Sequence, residues 1–255
     1  MIEVIVIGSG TGVPYIRRAG PAVCMRAEGQ TLLIDSAAGT LRQLSVAGIP
    51  YDSIDTILYT HLHPDHTGEF VPFIFATHYL PGYHRASPVT IIACEGFGNF
   101  YEGLRHAFGK WAEPKPGTVV FKEVPGEIEA AIPLPPLAVR SAPAVHTPQS
   151  LCYRVDTPDG KSVVFSGDTD FCTGLIDLSQ GADLLVSECS APEGFKIPGH
   201  LTPSEAGRIA QEAGVKRLLL THLYPNCDEH DLVTPCSEVY KGHIIVAEDF
   251  MRLVF

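Results

Sequence analysis

Short runs of apolar residues recur along the chain and alternate with segments whose apolar residues are spaced three or four apart. Residues 2–7 form an apolar run bounded by a glycine-rich loop, which is typical of an interior strand. By the same criteria further strands are predicted over residues 22–26, 31–35, 54–60, 89–93, 118–124, 137–141, 151–155, 162–165, 183–187, 215–220 and 243–246. The last of these is expected to be the final strand.

Helices are predicted over about residues 39–48, 69–80, 96–108 and 202–213. The fourth begins with Thr202 and Pro203, and Glu205 follows three residues after the threonine, an arrangement that suits a capped helix start. The segment between Trp111 and Pro136 is rich in Pro, Gly and Glu and is expected to be a connection holding one strand. Aromatic residues at 70–75, with Tyr79 and Trp111, are expected to pack in the core more readily than to line a substrate pocket.

The interleaving of strands and helices predicts an α/β protein with two sheets and helices outside them. No stretch of altered composition divides the chain and no fixed-period repeat is present. We therefore expect residues 1–255 to form one domain.

A cluster of potential metal ligands directly follows the apolar run that ends at Tyr59. It contains His61, His63, Asp65 and His66, with the last two at the turn into a helical segment. The spacing H-x-H-x-D-H can present ligands to two adjacent metal ions, the first pair serving one and the second pair the other. The alternative is a polar strand end with solvated histidines.

Four more polar residues stand where predicted strands end or a helix begins. They are His146, Asp168, His200 and His222. Each alone is more typical of a surface residue or a turn. Together with the first cluster they supply enough imidazole and carboxylate groups for a two-metal site on a rigid scaffold. The glycine-rich loop from Gly8 to Gly12 lacks the third glycine of a dinucleotide fingerprint and is expected to be a tight turn near the site.

The amino-acid composition indicates which binding partners and which cellular compartment the protein is expected to have. Acidic residues outnumber Lys and Arg by 29 to 18, so an extended basic face for gripping nucleic acid is not favoured. No apolar run is long enough to cross a membrane, and the start of the chain is a strand pattern without a basic leader. Seven cysteines without a C-x-x-C pair favour reduced thiols, and hence a cytoplasmic protein.

These motifs resemble the metallo-β-lactamase superfamily, whose motif order is H-x-H-x-D-H, His, Asp and His. The segments around Gly10–Pro14, residues 39–44 and Gly199–Thr202 are similar to its ribonuclease Z-type branch. The resemblance implies an αββα four-layer sandwich with the metals at one edge of the two sheets. It also implies that His61, His63 and His146 bind one metal, that Asp65, His66 and His222 bind the other, and that Asp168 bridges them.

The resemblance further implies the chemistry of such a site. Two divalent ions would hold a bridging hydroxide as the nucleophile, with zinc favoured by the N/O ligands and manganese or iron as alternatives. His200 would be the general acid, and Asp65 would orient the nucleophile while binding metal. Glu188, at the end of a neighbouring strand, is a candidate partner of His200, and an ordinary solvated carboxylate is an equally open interpretation.

The expected reaction is hydrolysis of a small or cyclic phosphodiester or of a short nucleic-acid end. Ribonuclease Z carries a long RNA-gripping arm between the third motif and the bridging Asp, whereas only 22 positions separate His146 from Asp168 here. The alternative is thioester or lactone hydrolysis, although the lactonase-like Tyr is replaced by Phe171. A tRNA 3′-processing endonuclease and a non-catalytic metal-binding scaffold are less favoured, and a homodimer is a family-level expectation.

Overall fold

Two seven-stranded sheets dominate the computed structural model, which describes residues 1–79, 87–126 and 130–255. The strands, in chain order, are β1 (Ile2–Gly8), β2 (Ala22–Ala27), β3 (Gln30–Ile34), β4 (Thr56–Leu58), β5 (Val89–Cys94), β6 (Val119–Val124), β7 (Ala130–Leu134), β8 (Leu137–Pro143), β9 (Leu151–Asp156), β10 (Ser162–Phe165), β11 (Leu184–Glu188), β12 (Arg217–Thr221), β13 (His243–Val246) and β14 (Arg252–Val254). The first sheet has the order β14-β1-β2-β3-β4-β5-β6, and the second has the order β13-β12-β11-β10-β9-β8-β7.

Helices cover the outer face of each sheet. They are α1 (Thr40–Val46), α2 (Pro64–Thr67), α3 (Phe70–Tyr79), α4 (Phe97–Phe108), α5 (Thr173–Leu178), α6 (Pro203–Ala213) and α7 (Val233–Val239). Short 3-10 turns lie at Tyr51–Ser53, Gly109–Ala112 and Pro225–Glu229. Among the described helices, none is long and apolar enough to cross a membrane.

The buried residues form three layers that confirm the predicted αββα sandwich. Strand β1 shows the reason, because Val4 and Val6 pack between the two sheets while Ile5 and Ile7 face the helices outside the first sheet. Successive side chains of a strand point to opposite faces, so a strand covered on both faces is apolar throughout. Helices α1, α3 and α4 pack on the first sheet, and α5, α6 and α7 pack on the second.

Several elements differ from the sequence-based prediction. Strand β7 lies inside the predicted connection and β14 follows the strand expected to be last. Both are edge strands, and Pro133 in β7 is tolerated there because an edge strand need not donate every ladder hydrogen bond. Helices α5 and α7 have six and seven residues and were also not predicted. The predicted helix over 69–80 spans Phe70–Tyr79, and residue 80 lies outside the described residues.

The ends of several strands meet at one edge of the sandwich. Strands β3 and β4 are parallel neighbours in the first sheet, and β10, β11 and β12 are parallel neighbours in the second. The sheets are linked at this edge, where Leu151 N donates to Thr60 O at 2.8 Å and Tyr153 Oη donates to Tyr59 O at 2.9 Å. Gly167 has a positive φ of 56°, and a Cβ there would lie 2.6 Å from Thr60 Cβ. The glycine therefore permits the close approach of the two sheets.

Candidate metal centre

The seven predicted metal ligands converge at this edge from four segments of the chain. One group contains His61, His63, His146 and Asp168, and a second contains Asp65, His66 and His222. Within each group the ligand atoms lie within 4.8 Å of one another. His61, His66, Asp168 and His222 are buried, whereas His63 is exposed, so solvent reaches the centre from the His63 side.

Asp168 lies between the two groups and turns one carboxylate oxygen toward each. Its Oδ1 is 3.3 Å from Nε2 of both His66 and His222. Its Oδ2 is 3.9 Å from His61 Nε2 and 3.8 Å from His146 Nε2. This geometry is the one that the predicted bridging role requires.

The donor atoms fit a pair of divalent cations. Asp168 Oδ1 and His61 Nε2 are buried without a hydrogen-bond partner among the described residues, which is rare for buried polar atoms. Burial lowers the pKa of His61 to about 2, so its imidazole stays neutral, as a metal ligand must be. His66 Nε2 and His222 Nε2 face each other at 3.3 Å. A cation held among these atoms would give each of them a partner, and a set of imidazoles and carboxylates without thiolate suits zinc, manganese or iron.

Asp35 orients one of the ligands, a role that sequence analysis missed. Its Oδ2 accepts a 2.8 Å hydrogen bond from His66 Nδ1, and its carboxylate also accepts bonds from Thr60 N and Thr60 Oγ1, both at 2.8 Å. Burial lowers the pKa of His66, but the charges of Asp168 and Asp35 raise it well above its usual value. A metal entering here would therefore displace a proton. The only sequence signal was the place of Asp35 at a strand end.

The Asp35→Asn variant is expected to bind metal more weakly by roughly 10–100-fold, because it removes the charged acceptor that fixes the His66 ring. Competition of the protein with a chromophoric chelator for zinc measures this affinity. Asp183→Asn is the matched control, since Asp183 Oδ2 accepts a 2.9 Å bond from Ser162 N away from the centre. Equal zinc affinity in the Asp35→Asn variant and the wild type would contradict the role given to Asp35.

His200 lies beside the centre and contacts Glu188, its candidate partner. The distance between His200 Nδ1 and Glu188 Oε1 is 2.9 Å. Burial lowers the pKa of His200, but the hydrogen bond and charge of Glu188 outweigh it, and the pKa is raised. Glu188 is only 2% exposed, so the interpretation as an ordinary solvated carboxylate is wrong. Its oxygens accept hydrogen bonds from four further groups: Thr169 N, Ser190 N, Ser190 Oγ and Leu201 N.

The loop before His200 is held by a charged cluster that the sequence did not reveal. Lys196 Nζ lies 2.7 Å from Asp170 Oδ1, 2.6 Å from Glu205 Oε2 and 2.5 Å from His200 O. Asp170 Oδ2 accepts a 3.0 Å bond from Gly199 N, and Gly199 O is 3.0 Å from His146 Nδ1. The backbone of this loop is thereby hydrogen-bonded to His146, a candidate metal ligand, and linked to the start of α6.

The glycine-rich loop after β1 also reaches the centre, in agreement with the predicted tight turn. Gly12 N donates to Asp65 Oδ2 at 3.1 Å. A Cβ at Gly12 would lie 3.0 Å from Asp65 Cβ, so a larger residue would displace that ligand. The loop thus fixes the carboxylate that is predicted both to bind metal and to orient the nucleophile.

Comparisons with known proteins agree with this fold. Residues 30–223 match the family model described as "Beta-lactamase superfamily domain". A protein named ribonuclease Z from Mycobacterium sp. (strain KMS) is 31% identical over 281 aligned residues, covering 99% of this chain and 96% of that protein. The metallo-β-lactamase fold protein YhfI from Bacillus subtilis has a TM-score of 0.84 at 24% identity, covering 99% of this chain and 98% of that one. The short form of human tRNase Z has a TM-score of 0.81 at 22% identity, with the same coverage.

Proposed function

Because the chain belongs to the metallo-β-lactamase superfamily of hydrolases, we propose that it is a phosphodiesterase that uses two divalent metal ions. The observation that carries this proposal is the position of Asp168. Its two carboxylate oxygens face the two groups of ligands at 3.3–3.9 Å, which is the arrangement that a pair of ions sharing one carboxylate needs.

Each of the two ligand groups described above would hold one metal ion. His61, His63 and His146 would hold one and Asp65, His66 and His222 the other, with Asp168 between them. We favour zinc on the donor chemistry, with manganese and iron as the alternatives. Two such ions supply Lewis-acid activation of water and neutralise charge on the phosphate oxygens.

Three protein groups have distinct tasks in the proposed reaction. Asp65 orients the attacking water through its carboxylate, which Gly12 N holds in place. His200 donates a proton to the leaving oxygen, and the raised pKa that the Glu188 hydrogen bond gives it favours the protonated form that this task needs. Glu188 positions His200 through the 2.9 Å hydrogen bond to its Nδ1.

A small or cyclic phosphodiester, or a short nucleic-acid end, is the substrate class that we favour. The segment between His146 and Asp168 forms the β9–β10 hairpin, which supports the proposal that the protein has no long RNA-gripping arm. The formal charge of −11 points in the same direction. All seven cysteines are unpaired, which supports a cytoplasmic location. A single domain over the whole chain and a homodimer remain part of this proposal.

RNA processing is the second candidate function, because curated relatives are named ribonuclease Z and the chain spans 96–98% of the length of three of them. The negative net charge of this chain and its short β9–β10 hairpin disfavour the binding of a long RNA. The two candidates share the same metal centre and differ in what lies outside it.

A panel of substrates separates these functions. Metal-loaded protein is expected to hydrolyse bis-p-nitrophenyl phosphate and a cyclic nucleotide faster than a lactone or a thioester, as judged from kcat/KM. A tRNA precursor cleaved with a higher kcat/KM than either phosphodiester would favour the second candidate. Preferential cleavage of the thioester or lactone would contradict phosphodiester hydrolysis as the function.

A further inference from the structure

A groove of about 650 Å³ opens between α3, α4 and the 3-10 turn that contains Trp111. Its lining is almost entirely apolar and includes Phe75, Phe100, Phe108 and Trp111. Among the described residues that line it, none carries a charge. The volume is within the range of about 300–1,000 Å³ that is usual for small-molecule sites.

Large aromatic side chains in this groove are exposed, although the sequence predicted that they would pack in the core. Phe70 and Phe73 of α3 are buried, but Phe75 is 42% exposed and Trp111 is 43% exposed. The centroids of their rings are 5.7 Å apart. Helix α3 is apolar nearly all round, and the sheet covers only one side of it. A contiguous apolar surface of this kind usually marks a site for a ligand or partner.

The groove is held in shape by contacts behind the aromatic rings. Glu113 O lies 2.6 Å from His78 Nε2 on α3. Ala112 O accepts a 3.2 Å hydrogen bond from Tyr101 Oη on α4. The turn that carries Trp111 is therefore fixed to both helices, so the groove exists before any ligand enters it.

The groove adjoins the segment of the chain that carries the candidate metal ligands. Leu62 and Pro64, which flank His63 in sequence, form part of its wall. A second groove of about 680 Å³ shares Pro64, runs past Asp65 and Tyr224, and is more polar. An apolar groove and a more polar groove thus meet at the segment that carries the candidate metal ligands. A phosphodiester carries two ester groups, so each groove can receive one of them.

We propose that the apolar groove binds a flat aromatic group, a nucleobase or an aryl ring, on one ester oxygen of the phosphodiester. This inference rests on the proposed function for the location of the phosphate. Stacking against aromatic side chains suits any planar ring, and it needs no charged partner in the groove. Trp111 and Phe75 are specificity-determining residues in this account, and they take no part in the chemistry.

The fluorescence of Trp111 tests the inference directly, because it is the single tryptophan of the chain. Titration of zinc-loaded protein with phenyl phosphate or a nucleoside 5′-monophosphate should change this emission to saturation, and methyl phosphate should not. Tighter binding of the nucleotide identifies a nucleobase, and tighter binding of phenyl phosphate identifies a simple aryl group. Phe75→Ala should weaken the binding roughly tenfold.

A kinetic comparison provides a second readout. Phenyl p-nitrophenyl phosphate and methyl p-nitrophenyl phosphate release the same leaving group. The ratio of their kcat/KM values therefore reports the effect of the other ester group, phenyl or methyl. This ratio should fall roughly tenfold in Trp111→Ala and in Phe75→Ala. It should stay at the wild-type value in Val254→Ala, a matched control because Val254 is 57% exposed on the edge strand β14.

The failure of this inference differs from the failure of the proposed function. Phosphodiester turnover with no emission change on adding either aromatic phosphate would overturn the groove assignment and leave the function standing. An emission change without any phosphodiester turnover would support the binding of an aromatic group in the groove and contradict the proposed function. Trp111 emission that shifts on dilution of the protein alone would show that a second copy of the chain covers the groove, and would also overturn the assignment.

Discussion

Replacing Asp168 with alanine is expected to remove both metal ions and to lower phosphodiester turnover by more than the ~10²–10⁴-fold that a general acid or base supplies. The reason is that Asp168 faces both ligand groups, with Oδ1 3.3 Å from two imidazole nitrogens of one group and Oδ2 3.8–3.9 Å from two of the other. The measurement is metal content by elemental analysis after gel filtration, paired with kcat for bis-p-nitrophenyl phosphate.

Two controls keep this result interpretable. Asp159→Ala alters an exposed carboxylate in the β9–β10 turn and should retain wild-type metal content and turnover. Thermal unfolding with and without zinc should show a zinc-dependent rise in Tm for the wild type and none for Asp168→Ala, since a ligand stabilises only the state that binds it. An Asp168→Ala protein that still binds two ions per chain would show that the carboxylate does not join them.

Replacing His200 with alanine is expected to lower kcat by ~10²–10⁴-fold while the metal content stays at the wild-type value. Its ring contacts Glu188 at 2.9 Å and lies beside Asp168, with Nδ1 3.9 Å from Asp168 Oδ2. The expected loss comes from the missing proton donor, so it should be largest for substrates with a poorly acidic leaving group. Comparison of an alkyl and a p-nitrophenyl leaving group measures this difference.

His106→Ala is the matched control for His200→Ala, because His106 is an exposed helical histidine whose Nδ1 lies 2.8 Å from the carbonyl of Glu102, away from the centre. It should leave kcat unchanged for both leaving groups. If His200→Ala lowers kcat equally for the alkyl and p-nitrophenyl leaving groups, or if it releases a metal ion, the role of general acid is contradicted. In the second case His200 would be a metal ligand.

Much of the fold could be predicted because its strands are covered on both faces. Strand β1 and the central strands of the second sheet are mostly apolar, and such runs are visible in the sequence. Strands β7 and β14 could not be recognised, because an edge strand buries fewer of its side chains: two of the five residues of β7 are buried, and none of the three of β14. Strand β14 pairs with β1 from the opposite end of the chain.

The candidate ligands were predictable for a different reason. His61, His63, Asp65 and His66 are close in sequence, and the other three stand at strand ends where a rigid scaffold can present them. The groups that support them carry no such pattern. Asp35 meets His66 across 31 positions, and Lys196 meets Asp170 across 26, so only the folded chain brings them together.

The aromatic residues show the same limit. The sequence predicts that the run at positions 70–75 packs in the core, and half of its residues are buried. Sequence spacing does not show which side of α3 the sheet covers, so the exposure of Phe75 had to come from the structure. The contact between Phe75 and Trp111 spans 36 positions, and no periodicity indicates it.

The most direct test of a two-metal phosphodiesterase is a titration of metal-free protein with zinc while hydrolysis of bis-p-nitrophenyl phosphate is followed. The rate is expected to rise to a plateau at two zinc ions per chain. A plateau at one ion per chain, or two bound ions without phosphodiester turnover, would contradict it.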